Sequence, residues 1–289
     1  MDYILQRFRA AGQPKYVLLY PLLMLVAIFM VFPSIYAWYL SFHKVTIYTF
    51  SNPEFRGISN FLDVLSNREF LKSLLFTLRY TGVVVTVEVI LGTGLALLMN
   101  RAILGKRLLI TFLLLPMMVS PVLLGIMFRL LLNEFTGPIA YYFGGIKLFS
   151  PQWVVTTVMS IDVLQWTPFA FLIIYAALQT IPKEYYEAGS IDGAGPLGLF
   201  THITFPMITR FLVITALFRG IDAFKTIDMI YVLTTGGPGV MTTTISLFIY
   251  KLAFRAGQLG KACAASILLL IVFSIPMVLI LKQVMKERT

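Results

Sequence analysis

Apolar residues in this chain gather into long runs separated by short polar segments. Taking about 20 apolar residues as one membrane crossing, the runs predict six helices at roughly 16–40, 71–99, 108–132, 154–179, 207–233 and 262–282. An even number of crossings returns both termini to one side. The segments 41–70, 133–153 and 234–261 then face the other side, and they carry turn and breaker signals at Pro53, Gly57, Gly137-Pro138, Gly144-Gly145 and Gly236-Gly237-Pro238-Gly239. None is long enough to fold alone, so 1–289 reads as a single transmembrane domain. Between Thr243 and Phe254 the pattern predicts a short amphipathic helix on the outer surface. Pro116 and Pro121 in the third run, and Pro168 in the fourth, each strip a carbonyl of its helical partner. Such sites are either simple bends or places where a neighbouring helix or a wet cavity satisfies the backbone.

Composition strengthens this reading. Of 289 residues 58% are hydrophobic and 12% charged, far too apolar for a soluble domain. The net charge of +10 does not point to nucleic acid, because Lys and Arg sit mostly at the ends of apolar runs. Arg7, Arg9 and Lys15 precede the first run, which is longer than a signal-peptide core and lacks a clean cleavage site, so it is expected to stay as a span. Those residues, the short loop from Asn100 to Arg107, and Lys282, Lys286 and Arg288 place both termini in the cytoplasm by the positive-inside bias. The one cysteine, Cys263, lies in an apolar run and excludes an internal disulfide or cysteine metal cluster.

The chain carries no engine of its own. Lys106 follows Gly105, but a phosphate loop would need glycine where Asn100 stands and Ser or Thr where Arg107 stands. His43 and His202 have no metal-ligand spacing, so no metal site is expected. Energy must come from an ion gradient or from a partner protein.

Charges inside apparent spans are costly and should face a cavity or one another. Glu88 is expected to pair with Arg79 or Arg129. On the fifth run Arg219, Asp222 and Thr226 recur at helical spacing on one face, bordered by Lys225 and Asp228. On the fourth, Asp162, Gln165, Trp166 and Phe169 share a face around Pro168. Polar groups beside aromatic rings suit a hydroxyl-rich ligand, since amides and carboxylates bind hydroxyls while rings cover the apolar side of a sugar. A polar seam that only holds helices together is the alternative.

Between those two runs lies a glycine-broken island, EAGSIDGAGPLGLFTHITFP over 187–206. Pro182, Glu184 and Glu187 read as a helix start, and Gly193, Gly195 and Pro196 as its end. A second short helical stretch follows from about Leu197 until Pro206 turns the chain into the fifth span. The resulting knob, about 180–206, is either a plain connector or a piece that inserts into another protein's groove; exposure of Ala188, Ile191, Ala194 and Phe200 among charges favours insertion.

Glu187-Ala188-Gly189, Asp192-Gly193-Ala194, Phe200 and Ile203-Thr204-Phe205-Pro206 closely resemble the coupling loop, or EAA motif, of permease subunits in binding-protein-dependent ABC importers. Leu233-Thr234-Thr235-Gly236-Gly237-Pro238-Gly239, Thr242-Thr243-Thr244 and Tyr250-Lys251-Leu252-Ala253-Phe254 resemble the outward loop of the carbohydrate-uptake branch, and Leu115-Pro116 to Pro121 and Gly125 fit that branch too. The chain is similar to the larger permease of maltose systems without its extra amino-terminal spans and external domain. This resemblance implies an all-α membrane protein with six transmembrane helices, the type I importer permease fold, in a bacterial cytoplasmic (inner) membrane. It implies a second permease subunit as partner, two ATP-binding subunits that hold ATP and Mg, and an extracytoplasmic solute-binding protein. The chain itself would hold no cofactor and catalyse nothing. Glu187, Ala188, Gly189, Asp192, Gly193, Ala194 and Phe200 would couple to the ATPase, with Glu187 pairing to a basic residue there and Gly193 permitting the turn. The family's sugar pocket, transferred position by position, puts Asp162, Trp166, Phe169, Arg219, Asp222 and Thr226 near the ligand. Arg219 and Lys225 favour an anionic sugar unless Asp222 and Asp228 neutralise them. Two other classes compete: an ion-coupled carrier using Asp162, Asp222 or Glu88, which leaves the coupling loop unexplained, and a membrane enzyme, for which no nucleophile or metal motif is present.

Overall fold

The computed structural model describes residues 14–101, 104–142 and 145–286. In chain order the helices are α1 (Pro14–Val26), α2 (Phe32–Ser41), α3 (Ser59–Leu65), α4 (Arg68–Met99), α5 (Lys106–Met118), α6 (Pro121–Leu131), α7 (Pro138–Tyr142), α8 (Val154–Gln179), α9 (Lys183–Ile191), α10 (Pro196–Leu199), α11 (Phe205–Phe224), α12 (Asp228–Thr234), α13 (Ile245–Tyr250) and α14 (Leu259–Lys286). Strands β1 (His43–Lys44) and β2 (Glu54–Phe55) pair antiparallel between α2 and α3.

Among the described residues, four helices are long and apolar enough to cross a membrane: Leu19–Ser41, Arg68–Met99, Val154–Gln179 and Pro196–Phe224. The sixth predicted run falls in α14. The third, expected as one helix over 108–132, is two: α5 and α6 meet at a bend of 94° and make a fifth crossing only if counted together. Val119 and Ser120 are extended at ψ 135° and 138°. The cause is local, because the residue before a proline is pushed out of the helical region and Ser120 precedes Pro121. By contrast α8 runs straight through Pro168 as one helix.

The fifth run also departs from expectation. Pro206 does not turn the chain, since helix continues from Pro196 to Phe224. A π-helical turn over Phe200–Thr204 precedes it, with the Phe205 N–H bonded to the Phe200 carbonyl. That wider turn takes up the carbonyl that the proline ring would otherwise strike. The same device precedes Pro33, after a π-helical turn over Ala27–Val31. Nor does this helix reach 233; it ends at Phe224, and α12 starts afresh at Asp228.

Two compact units make up the chain. The first takes the residues up to Ser66 together with Ile249–Val272. Its centre is the loop after α2, where Asn60 Nδ2 donates to the Ser41 and His43 carbonyls, both at 2.8 Å. Gly260 donates its N–H to the Val45 carbonyl at 3.0 Å, and a Cβ there would overlap the His43 carbonyl. Lys261 and Arg56 share Asp63 at 3.0 and 3.6 Å.

The second unit takes Asn67–Phe248 and the chain from Phe273 onward. Its core is the pairing of α4 with α8, closed around Ala96, Ala170, Phe171, Ile174 and Ile208. Small residues let these helices approach, the way helices associate where lipid supplies no hydrophobic drive. A Cβ on Gly92 would stand 2.8 Å from both Ala170 Cβ and the Phe171 backbone nitrogen. The predicted surface helix at Thr243–Phe254 is instead partly internal: Thr242, Thr243 and Thr244 are buried, as are Ile245, Leu247 and Phe248. The Ile245 N–H donates to Thr77 Oγ1 on α4 at 2.8 Å.

Candidate functional site

Arg219, on α11, is the largest fully buried side chain among the described residues, at 2% exposure. Its Nε and Nη2 donate to the two carboxylate oxygens of Glu88 at 2.7 and 2.9 Å, a bidentate fork. Nη2 also donates to Asp162 Oδ2 at 3.1 Å, and Nη1 to Asp222 Oδ2 at 2.9 Å. The guanidinium carbon lies 4.7 Å from the Trp166 ring centroid, within cation–π range. Three helices, α4, α8 and α11, therefore meet on one cation. Burying it requires this, because an unpaired charge in the interior is costly in hydrocarbon and in protein alike. Asp222 is half-exposed and also reaches Lys225 at 3.5 Å. The buried Tyr80 hydroxyl stands beside Asp162, short of full hydrogen-bond geometry.

Glu88 thus pairs with Arg219, not with Arg79 or Arg129. Arg129 instead donates to the Val232 carbonyl at 2.9 Å, tying α6 to α12, and Arg79 is exposed. Asp228 opens α12, where the positive end of a helix favours a carboxylate.

Beside the cluster lies a cavity of about 300 Å³ lined by Trp166, Phe169, Phe218, Arg219, Ile221, Asp222 and Lys225. The structure thus gathers Trp166, Phe169, Arg219 and Asp222 as the helical spacing suggests, with Asp162 buried behind them. Two expected lining residues do not take part. Gln165 is fully buried and donates Nε2 to the Val119 carbonyl at 2.9 Å. Val119 sits at the break between α5 and α6, so Gln165 satisfies a carbonyl that the bend exposes. Thr226 lies past the end of α11, and its carbonyl accepts from Thr244 Oγ1 at 2.9 Å. Phe218 and Ile221 are lining residues that the spacing argument missed; both flank the charged face of the same helix.

Within the 180–206 segment, the start and end of α9 follow the capping signals. Gly193 is left-handed at φ 82°. Its N–H bonds to the Ser190 carbonyl at 3.1 Å, and that of Ala194 to the Gly189 carbonyl at 2.9 Å. Together these form a Schellman ending, which closes α9 and needs a residue free to adopt positive φ. Gly189 packs so closely that a Cβ would lie 2.7 Å from Leu199 Cδ2. Glu187, Ala188, Asp192, Gly193 and Ala194 are exposed, Gly189 half-buried. Phe200, expected at the surface, is half-buried with its ring 6.0 Å from Phe205. The apolar tip is formed by Ile191 and Leu197, 86% and 76% exposed, of which Leu197 was not foreseen. Tyr186 and Ile203 pack inward on the α4–α8 core, and Tyr186 Oη lies 3.1 Å from Thr204 Oγ1. The knob is therefore braced against a core built from α4, α8 and α11, of which α8 and α11 also line the cavity.

The profile of the family described as binding-protein-dependent transport system inner membrane component matches residues 88–286. The chain is 34% identical over 259 residues to the trehalose/maltose transport system permease protein MalF of Thermococcus litoralis, covering 88% of this chain and 87% of that one. It is 31% identical to the sn-glycerol-3-phosphate transport system permease protein UgpA of Pectobacterium atrosepticum, over 91% of both. In fold it matches a chain of the bacterial alginate ABC transporter solved with an alginate pentasaccharide-bound periplasmic protein, with TM-score 0.77 at 22% identity over 92% of this chain and 91% of that one.

Proposed function

The chain belongs to the family of binding-protein-dependent transport system inner membrane components, and from that premise we propose that it forms half of the import pathway for a sugar or sugar derivative. It works as a permease subunit beside a second permease. Two ATP-binding subunits hydrolyse ATP with Mg, and a solute-binding protein delivers cargo from outside. Its six crossings lie in a bacterial inner membrane with both termini and the 180–206 knob in the cytoplasm. The observation that carries this reading is the bracing of an exposed apolar-and-acidic knob on α8 and α11, the helices that farther along hold the Trp166–Arg219 cavity. Glu187 meets a basic group in the ATPase cleft, while Ile191 and Leu197 seat in its apolar floor. ATP-driven closure then moves the knob and switches the cavity between inward and outward access.

Purification of the tagged chain in mild detergent tests this. Recovery of a second permease and an ATPase, with substrate-stimulated ATP turnover that Glu187→Lys abolishes, is the expected result. Normal stimulated turnover in Glu187→Lys would sink the coupling role. An ion-coupled carrier finds no footing, since Glu88, Asp162 and Asp222, its candidate proton sites, all serve as partners of Arg219.

A further inference from the structure

Relatives of this chain are named for charged as well as uncharged cargo: UgpA for sn-glycerol 3-phosphate, MalF for trehalose and maltose. The chemistry of the cavity decides between these classes, given the reading that the cavity belongs to the import pathway. Arg219 is the cation that an anionic ligand would seek there. Its Nε, both hydrogens of Nη2 and one of Nη1 are already given to Glu88, Asp162 and Asp222, and its face lies over Trp166. A guanidinium has five N–H donors, so a single one remains. Lys225, the other cation lining the cavity, lies 3.5 Å from Asp222. Across the network three carboxylates thus meet two cations: Glu88 and Asp162 offset Arg219 from behind the wall, and Asp222 faces Lys225 on it. A carboxylate or phosphate seeking Arg219 would have to displace a buried ion pair, and beside Lys225 it would compete with Asp222. The hydroxyls of an uncharged sugar can instead use the half-exposed Asp222 and stack on Trp166 and Phe169.

We propose that this cavity takes an uncharged carbohydrate and rejects carboxylated or phosphorylated ones, and that Glu88, which does not line it, sets that selectivity by occupying Arg219. Glu88 is a positioning residue: it fixes the guanidinium plane with two bonds and cancels its charge. Changing it to glutamine would free part of Arg219 and remove one negative charge from behind the wall, shifting the preference toward anions by on the order of tenfold.

The test uses the assembled importer in lipid nanodiscs. Neutral trehalose, maltotriose, cellobiose and raffinose are compared with trigalacturonate, glucose 6-phosphate and sn-glycerol 3-phosphate by direct binding. The expected result is binding of a neutral member only, with Glu88→Gln narrowing the gap to the anions rather than weakening all ligands alike. A purely structural Glu88 would lower every affinity together, and that outcome overturns its assigned role. Should Glu88→Gln fail to assemble, Asp222→Asn removes the same charge from a half-exposed position and must move the preference in the same direction, while Lys225→Met must move it the other way; no movement in either overturns the proposal. Wild-type protein that binds an anionic member best overturns the charge selectivity and leaves the cavity reading standing. If no ligand of either class binds, the cavity reading itself falls and the selectivity with it.

Discussion

Replacing Arg219 with methionine keeps an apolar stem of similar length and deletes the guanidinium, leaving Glu88 and Asp162 buried at 0% and 3% exposure without a cation. Removing one member of a buried pair costs about 3–5 kcal/mol, because the remaining charge must stay unpaired or take up a proton against its preference. Asp222→Asn breaks a bond to the same guanidinium from a side chain 42% exposed to solvent. Such a partly solvated pair contributes only about 0–1 kcal/mol. The structure therefore predicts a wide gap between two substitutions at neighbouring positions of one network. Fluorescence-detected size exclusion of the assembled complex after graded heating reads it as a shift in apparent melting temperature. Arg219→Met should fall far below wild type, and Asp222→Asn should lie close to it. Adding Glu88→Gln to Arg219→Met should recover part of the loss, since it removes one stranded charge. Equal melting of the two single variants would refute the view that Arg219 is held by burial and pairing.

Gly193→Val places a β-branched residue at φ 82°, a cost of about 1–2 kcal/mol or more that opens the end of α9; uptake should be lost with the protein still in the membrane, and Gly193→Asn should retain much more of it. Gly92→Val drives side-chain atoms into Ala170 and the Phe171 backbone, where even a Cβ lies at 2.8 Å, so the yield of monodisperse protein should fall by an amount matching about 1–3 kcal/mol of overpacking. Gln165→Leu strands the Val119 carbonyl and should destabilise by about 1–3 kcal/mol without changing which sugars bind; altered sugar preference would instead place Gln165 in the pathway.

The apolar runs marked three crossings to within a few residues, and α8 keeps the bounds read from hydrophobicity, 154–179, because its ends are set by local signals. The knob was legible for the same reason: Gly193 and the acidic first turn act within a few residues. What escaped was long-range. Glu88 and Arg219 are 131 positions apart, and no local pattern tells a carboxylate which of several cations it will meet. Gln165 shares a face with Asp162 by spacing, but the 94° bend brings the Val119 carbonyl to it, and the bend depends on Ser120 yielding to Pro121. Pro206 misled because a π-helical turn, which leaves no sequence signature of its own, absorbs the ring. The three threonines after the Gly-Gly-Pro-Gly turn read as surface loop, yet their hydroxyls satisfy backbone carbonyls of Gly236, Gly237 and Thr226 inside the protein.

The placement of the charge network gives the proposed coupling a physical route. Trp166 precedes the end of α8 by about as many residues as separate Phe205 from Arg219, so knob and cavity lie about 20 Å apart along both helices at 1.5 Å per residue. A push on the knob therefore reaches the same depth on α8 and α11. At that depth the two helices are not independent, since Arg219 of α11 is bonded to Asp162 of α8 and to Glu88 of α4. A network broken at Arg219 would let the knob move without carrying the cavity wall along. In a complex that still assembles, Arg219→Lys should accordingly keep one cation but lose the fork that joins three helices. ATP turnover should then persist while sugar uptake falls, an uncoupling that a stability defect alone would not produce. Parallel loss of turnover and uptake would show that the network around Arg219 only holds the fold together.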